Sequence, residues 1–275
     1  MRNLCAGSFL LLVVAGAFSA VHAAPQSASL GPQSGAAAVW NGPRTPDGQP
    51  DIQGTWDAAG VALETQHNIE EGSDLEHIKI QGQKYAPSNA IVDPPTKRIP
   101  YTADFAAKRK VNLDNRYNPD PKKRDPVTSC FLPGVPRMGY QGEIRIVQSP
   151  GYVVMFGEGT RIIPLDNRPR LGDKVKLWMG DSRGRWEGTT LVIESTNHND
   201  KTWFDRSGNI HSDALHVVER WTFVDASTAR YEATIEDAKA FTKPWKMAWT
   251  FTRDKEPEEP WEEACYEGNR RPQVN

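Results

Sequence analysis

The sequence predicts a mainly β fold: an antiparallel meander that closes into a lipocalin-like barrel or a strongly curled sheet, preceded by an irregular, Pro-rich region with short helices. From Glu143 onward, short β-prone runs alternate with turn signals. Most connections between these runs are too short for the crossovers that parallel strands need. Before residue 137, prolines interrupt the chain repeatedly. A closed or curled sheet would hide the edges of such a meander.

The first 23 residues are typical of a cleaved export signal. Arg2 gives a positive start, residues 9–18 form an uncharged apolar core, and residues 21–23 (Val-His-Ala) place small side chains where a signal peptidase cuts. The apolar stretch is about a dozen residues, whereas a membrane-spanning helix needs roughly 20. We therefore expect a periplasmic or secreted bacterial protein that is cleaved near Ala23. An uncleaved anchor is the alternative interpretation.

The rest of the chain divides by composition. Residues 24–43 are rich in Ala, Ser, Gly, Gln and Pro and are expected to form a flexible leader. Residues 44–275 are long enough for one sizeable core, and all-β folds of this length are commonly one domain. We expect a single β-rich domain, with an irregular N-terminal part at 44–136 and the β-meander and C-terminal tail at 137–275.

Local pattern predicts the individual elements of this domain. The best helical candidates are residues 74–85 and 103–112, the second preceded by Thr102 as a plausible N-cap. Residues 54–56 (Gly-Thr-Trp) predict an early strand. The remaining strands are expected at 144–148, 152–156, 161–165, 191–196, 215–224, 229–236 and 245–252, with turns at 149–151 and 225–227.

Charge argues against a nucleic-acid partner. The chain has 33 Lys and Arg against 35 Asp and Glu, and loss of Arg2 with the signal leaves 32 against 35. A nucleic-acid binder normally shows a basic excess or a basic stripe. The one basic cluster, residues 122–124, is flanked by Asp120 and Asp125 and is interpreted as a solvated loop. We expect a small-molecule partner, and no membrane partner after signal cleavage.

Two cysteines, Cys130 and Cys265, remain once Cys5 has left with the signal. An even pair in an oxidising compartment predicts a disulfide. Such a bond would close more than a hundred residues, for which the loop-entropy description gives roughly 5 kcal/mol before strain. The alternative is that these thiols are catalytic or bind a metal, but the sequence has no Cys-x-x-Cys motif and no His next to either cysteine to support it.

Five segments together resemble a large family of secreted bacterial proteins that are usually labelled hypothetical. They are residues 46–56 (PDGQPDIQGTW), 130–137 (CFLPGVPR), 180–188 (GDSRGRWEG), 216–220 (HVVER) and 264–269 (ACYEGN). The likeness spans nearly the whole mature chain. Members of that family often have His where this chain has Tyr266, so no role of that His carries over. The resemblance implies export and pairing of Cys130 with Cys265, and it implies no particular chemistry.

Residues 180–184 (Gly-Asp-Ser-Arg-Gly) match the Gly-x-Ser-x-Gly pattern of a serine nucleophile elbow. That elbow lies between a strand and a helix, but a β-prone run follows here instead of a helix. We interpret the segment as a tight turn in which Asp181 and Ser182 cap backbone donors and Gly184 has a positive φ. Ser182 is therefore expected to be structural.

The histidines left after signal cleavage do not form a metal-binding pattern. His211 and His216 are five residues apart, so on a strand they would point to opposite faces. His198 and Asp200 could share a face, but two ligands do not make a zinc or iron site, and His-Glu-x-x-His is absent. No glycine-rich phosphate loop follows a strand. We expect neither a metal nor a cofactor.

The segment from His211 to Trp221 carries charge on both faces of a predicted strand. Glu219 lies on one face with Trp221, and His216 and Arg220 lie on the other. Whichever face is interior therefore buries charge, which is costly unless it is paired. Buried charges concentrate in ligand sites, although an internal salt bridge or a charge at the barrel rim explains the pattern equally well.

Two functional hypotheses follow. The first is a cofactor-independent lyase or hydrolase for a small aromatic or plant-derived molecule, in which a histidine moves a proton, a carboxylate orients it and an arginine stabilises negative charge. The second is a carrier that binds an apolar or aromatic ligand in the same pocket without turnover. The catalytic candidates are His216, His211, Glu219, Asp213, Arg183 and Arg161, and the ligand-binding candidates are Trp186, Trp221, Arg185 and Trp249.

Overall fold

The computed structural model describes residues 40–58, 67–70, 79–80, 83–84, 88–140 and 142–255, all of them within one compact unit, residues 37–275. Ten antiparallel strands of this part form a nearly closed barrel-shaped sheet, accompanied by one α-helix, α1 (Ala103–Asn115). The predicted mainly β, barrel-like fold is confirmed. None of the helices described is long and apolar enough to cross a bilayer.

The strands follow one another in the barrel mostly as sequence neighbours. Their bounds are β1 Gly54–Asp57, β2 Lys79–Ile80, β3 Gln83–Lys84, β4 Ile91–Asp93, β5 Ile144–Ser149, β6 Tyr152–Gly157, β7 Gly159–Pro164, β8 Asp181–Glu187, β9 Thr190–Thr196, β10 His216–Phe223, β11 Thr228–Glu236 and β12 Trp245–Arg253. The spatial order is β7-β6-β5-β1-β12-β11-β10-β9-β8, and β4 also pairs with β12. Strands β2 and β3 form a separate hairpin.

The barrel has a seam where its two end strands, β7 and β8, adjoin without a hydrogen-bonded ladder between them. A glycine on β8 allows the close approach there. A Cβ at Gly184 would lie 2.7 Å from Leu165 Cδ2 and 2.8 Å from Ile163 Cγ2. Since real Cβ contacts are longer than this, any larger residue would push the seam apart. The seam is therefore closed by packing rather than by backbone pairing.

The structure confirms every strand predicted from the β-prone runs, with bounds that differ by one or two residues. Helix α1 also forms, three residues longer than predicted. Thr102 precedes it in an extended conformation, but its side chain makes no capping hydrogen bond. Three short 3-10 helices, Pro121–Lys123, Pro126–Ser129 and Arg137–Tyr140, also occur in the described part of the chain.

Two predictions about local structure were wrong. The helix expected at 74–85 is contradicted by the β2–β3 hairpin, which lies inside that range. The turn expected at 180–184 is instead the start of β8, which pairs with β9 from Asp181 opposite Thr196 to Glu187 opposite Thr190. Positive φ angles occur at the flanking Gly180 and Gly188, not at Gly184. Glycine and charge disfavour a strand locally, but a full ladder with β9 outweighs that preference.

The core lies inside the barrel and is dominated by aromatic rings from β10, β11 and β12. Trp221 stacks on Phe251 with ring centroids 4.3 Å apart, and Tyr231 lies against Trp249 at 4.2 Å. Apart from the last residue of β12, these strands alternate between buried and more exposed residues, which is the period expected of a sheet with one wet face. On β10 the buried set includes Glu219 among apolar neighbours.

A 19-residue connection, 197–215, joins β9 to β10 without regular secondary structure beyond isolated bridges. Its centre is held by the buried carboxylate of Asp205, which accepts hydrogen bonds from the backbone N–H groups of Ile69, Ser207 and Asn209 and from the Asn209 amide. Burial raises the pKa of Asp205. Long connections of this kind are uncommon in compact domains and often carry function. The hydrogen bonds of Asp205 fix the centre of this connection to Ile69.

Cys130 ends the 3-10 helix Pro126–Ser129 in a left-handed conformation with φ 64°. It takes part in a disulfide. Cys265 lies outside the described residues, so its pairing with Cys130 stays a prediction. The signal segment, the leader before residue 40 and Tyr266 also lie outside the described residues.

Candidate functional site

A cleft opens along the seam between β7 and the chain that enters β8. It has a volume of about 340 Å³, which is within the range of small-molecule sites. A second cleft of about 300 Å³ adjoins it and shares Leu132 and Thr160. We call the first one the seam cleft; it is lined by Leu132, Thr160, Arg161, Ile162, Leu177, Trp178, Met179, Gly180 and Ser182.

The wall of the seam cleft is apolar and open to solvent. The exposed ring of Phe131 stacks on Trp178, with centroids 5.0 Å apart and planes inclined by 6°. Ile162 on β7 is 62% exposed, and Leu132 and Leu177 are also exposed. Clustered apolar side chains on a surface usually mark a site that another molecule covers. The wall therefore favours a ligand with a flat or aliphatic body.

Two residues that line the seam cleft, Arg161 and Ser182, belong to a buried polar group of five side chains, which we call the Arg161–Glu219 network. The Arg161 guanidinium, 5% exposed, donates to both carboxylate oxygens of Glu219 at 2.6 and 3.2 Å. It also donates to the hydroxyls of Ser182 at 3.1 Å and Ser195 at 3.0 Å, which lie 2.8 Å apart. Tyr231 donates to Glu219 Oε1 at 3.0 Å. Strands β7 to β11 thus converge on one ion pair.

The Arg161–Glu219 network is electrically balanced. Burial, followed by the charge of Glu219, raises the pKa of Tyr231 well above its ordinary value, so the phenol stays protonated and donates. One guanidinium therefore faces one carboxylate, and the other three members are neutral hydroxyls. The Arg161 Nε is buried and has no hydrogen-bond partner among the described residues. An unpaired buried donor of this kind is uncommon in folded proteins.

His198, in the connection 197–215, lies directly behind the cleft wall. A Cβ at Gly180 would be 2.4 Å from His198 Cε1, and Gly180 has φ +69°, so this position requires glycine. The imidazole is fully buried, and neither ring nitrogen makes a hydrogen bond of standard geometry within the described part of the chain. Burial, then His211 and Arg161, lower its pKa well below the ordinary value, outweighing the nearby Ser195 backbone. His198 is therefore neutral.

His211 is also buried, and both of its ring nitrogens are engaged. Nδ1 donates to the Ser212 carbonyl at 2.8 Å, so Nε2 accepts from the Thr202 hydroxyl at 2.6 Å. Burial lowers the pKa of His211 below its ordinary value. The ring centroids of His198 and His211 are 6.2 Å apart. His211 thus serves the internal bonding of the loop.

Among the catalytic candidates from the sequence, the structure brings together Arg161 and Glu219. His216 lies on the outer face of β10, where its ring nitrogens are 2.9 Å from Glu194 and 3.2 Å from Glu236. Asp213 is exposed and pairs with Lys239 at 2.6 Å. Arg183, beside the seam, pairs with Asp181 and donates to the Pro169 carbonyl at 2.7 Å.

The four ligand-binding candidates from the sequence do not line the seam cleft. Trp221 and Trp249 are buried inside the barrel with the aromatic core. Trp186 is partly buried against that core, beside Phe223 at 6.1 Å between ring centroids. Arg185 is exposed and pairs with Glu187 at 2.9 Å. The aromatic residue that does line the cleft is Trp178.

Sequence reasoning gave Ser182 only a structural role, did not select Ile162, and missed four further residues of the site: Trp178, Ser195, His198 and Tyr231. A signal for two of them existed, since alternation along β9 and β11 places Ser195 and Tyr231 on the buried face. For Trp178 and His198 the sequence offers only their position in irregular segments that flank strands. Their convergence on the seam depends on barrel closure.

In the part of the chain that the structure describes, no group of three or more His, Cys, Asp or Glu side chains could hold a metal ion. His77 lies outside that part. What the seam site offers chemically is an apolar wall, buried hydrogen-bond donors and a fixed ion pair. Comparisons of the chain with protein-family models, with curated proteins and with solved structures find no match.

Proposed function

We propose that this protein binds a small, largely apolar or aromatic molecule in the seam cleft and acts as a carrier or sequestering protein. The observation that carries the proposal is the buried Arg161 guanidinium at the floor of an apolar cleft, held in place by Glu219. Ligand sites of this kind combine apolar walls with a few fixed polar groups that orient the ligand. Trp178 and Ile162 would cover the ligand body, and Arg161 and Ser182 would anchor its polar end.

Binding is favoured over turnover because none of the described residues that line the cleft is a histidine or a carboxylate in reach of a ligand. His216 and Asp213 lie on the outside of the barrel, and both nitrogens of His211 already form hydrogen bonds. General acid–base catalysis needs a titrating group within hydrogen-bond distance of the reacting atom. A lyase or hydrolase is the second candidate, favoured by the neutral imidazole of His198 behind Gly180.

Export and the disulfide belong to the same proposal. A carrier for an apolar molecule in the periplasm fits the predicted signal peptide. Pairing of Cys130 with Cys265 would tie the segment that lines the adjoining second cleft to the C-terminal tail. Thiol titration of the unfolded, unreduced mature protein should find no free thiol. Two titratable thiols would overturn the pairing.

A matched pair of variants tests the binding proposal. Ile162→Asp places a charge in the apolar wall. Val92→Asp places the same charge on β4, away from the cleft, at an apolar residue that is 39% exposed. Acetylnaphthalene titrated into the wild type, followed by tryptophan fluorescence and calorimetry, should bind with micromolar affinity. Ile162→Asp should weaken binding about tenfold or more, because a ligand would have to desolvate a carboxylate, and Val92→Asp should leave it unchanged.

The two candidate functions differ in one further result. Product analysis after long incubation of the wild type with aromatic esters, glycosides and ethers should show only unchanged compounds. If the wild type turns a compound over, and His198→Gln abolishes this turnover without abolishing binding, the protein is an enzyme and not a carrier. Binding that is insensitive to Ile162→Asp would remove the seam cleft as the site.

A further inference from the structure

We infer that the ligand of the seam cleft is uncharged and presents a hydrogen-bond acceptor, such as a carbonyl or ether oxygen, to Arg161. This inference rests on the proposed function and specifies its ligand class. It departs from the simplest expectation for a buried arginine, which is recognition of an anion such as a carboxylate or phenolate.

The first reason is the charge balance at the floor of the cleft. The Arg161 guanidinium is already neutralised by Glu219, which contacts it through both carboxylate oxygens. Glu219 is 2% exposed, so water does not screen it. An anionic ligand would therefore add a second negative charge beside one cation in a poorly solvated place. Burying an uncompensated charge is far more costly than burying a neutral polar group.

The second reason is the balance of donors and acceptors. Glu219 Oε1 accepts from Arg161 and Tyr231, and Oε2 accepts from Arg161, so the carboxylate is well satisfied. The Arg161 Nε has no partner among the described residues, although the side chain is more than nine-tenths buried and lines the cleft. One donor of the network is therefore unsatisfied and shielded from water, and a ligand oxygen that reached it would complete its hydrogen bonding.

Other charges near the cleft do not change this balance. The Lys201 ammonium lies 6.0 Å from the Trp178 ring centroid, but Lys201 is exposed and its field is screened by water and salt. Arg183 is paired with Asp181. His198 is held neutral by its burial, which lowers its pKa, so it adds no positive charge behind Gly180. Arg161 remains the buried cation of the site, with Glu219 as its counter-ion.

Three probes of one aromatic skeleton test the inference. Acetylnaphthalene is neutral and carries an acceptor, naphthoate is an anion, and ethylnaphthalene is neutral without an acceptor. Calorimetric titration of the wild type should give the tightest binding for acetylnaphthalene. Naphthoate should bind at least about tenfold more weakly because of its uncompensated charge, and ethylnaphthalene roughly fivefold more weakly because it leaves the donor unpaired.

Glu219→Gln then provides the internal check. Removing the carboxylate leaves the Arg161 charge unbalanced, so naphthoate should bind more tightly than acetylnaphthalene in this variant. If Glu219→Gln does not fold, the wild-type ranking decides the inference alone. Naphthoate binding as tightly as acetylnaphthalene in the wild type, with both weakened by Ile162→Asp, would overturn the inference and leave the binding function intact. Failure of all three probes to respond to Ile162→Asp would instead remove the seam cleft as the site.

Discussion

Strand β10 carries charged side chains on both of its faces, but water reaches only one of them. On the inner face, Glu219 is 2% exposed and pairs with Arg161 across the barrel. On the outer face, the His216 side chain is 30% exposed between Glu194 and Glu236, and Arg220 pairs with Glu187 at 2.9 Å. The residue types and distances are similar on the two faces, but the inner pair lies in a low-dielectric interior and the outer pairs are in contact with water.

This difference decides what each pair can contribute. Exposed ion pairs contribute about 0 to 1 kcal/mol to the free energy of unfolding, because water and salt screen them. A buried pair contributes little more than an apolar replacement would, but removing one partner leaves an uncompensated charge. The inner pair therefore constrains the fold and the ligand site strongly, whereas the outer pairs tolerate change.

The largest effect is expected from breaking the inner pair. Arg161→Ala should lower the free energy of unfolding by roughly 3 to 5 kcal/mol, because Glu219 would be buried without a counter-ion. The double variant Arg161→Met, Glu219→Gln should lose much less than the sum of the two single losses, since no charge is left unpaired. Urea unfolding of Arg161→Ala, Arg161→Met, Glu219→Gln and the double variant measures these losses. Additive losses would show that the two side chains do not act as a pair.

The next effect concerns pH and the buried histidines. His198 and His211 have pKa values below their ordinary 6.5 because burial disfavours the charged form, so only the unfolded chain takes up protons just below pH 6.5. The contribution of these two histidines to the free energy of unfolding is therefore fully present above pH 6.5. It falls as the pH drops below 6.5, until the folded-state pKa values are reached. Each histidine should contribute a slope of up to about 1.4 kcal/mol per pH unit.

Urea unfolding between about pH 5 and pH 7 tests this slope. His198→Gln should reduce the pH dependence of the unfolding free energy relative to the wild type. Comparing the variants with the wild type cancels the contributions of other groups, such as Asp205 and Glu70, whose pKa values are raised by burial. Parallel curves for the wild type and His198→Gln would contradict burial of a neutral imidazole.

The smallest effect is expected on the outer face. His216→Ala removes contacts with Glu194 and Glu236 that are open to solvent, so the unfolding free energy should change by less than about 1 kcal/mol. Acetylnaphthalene affinity should stay at the wild-type value, because His216 does not line the seam cleft. Thermal melts and calorimetric titrations check both statements. Loss of a catalytic activity in His216→Ala without loss of stability would restore His216 as a site residue.

The sequence by itself determined the β-meander and the position of helix α1. Strands such as β10, β11 and β12 alternate between apolar and polar residues, and this period is visible without any tertiary information. The same alternation indicated that one face of β10 would bury a charge. It did not identify Arg161 as the partner of that charge, because Arg161 was predicted to stabilise negative charge on a substrate.

Only the tertiary structure decided which face of β10 is interior and which partner meets Glu219. Arg161 and Glu219 are 58 residues apart, and they meet because the two end strands of the barrel adjoin at a seam. Strand β8 forms against its local preferences because β9 supplies a complete ladder. The seam cleft, with Trp178 at its wall and His198 behind it, exists because closure packs irregular segments against β7. Long-range contacts of this kind leave no local period in a sequence, and for this reason the site could be identified only from the tertiary structure.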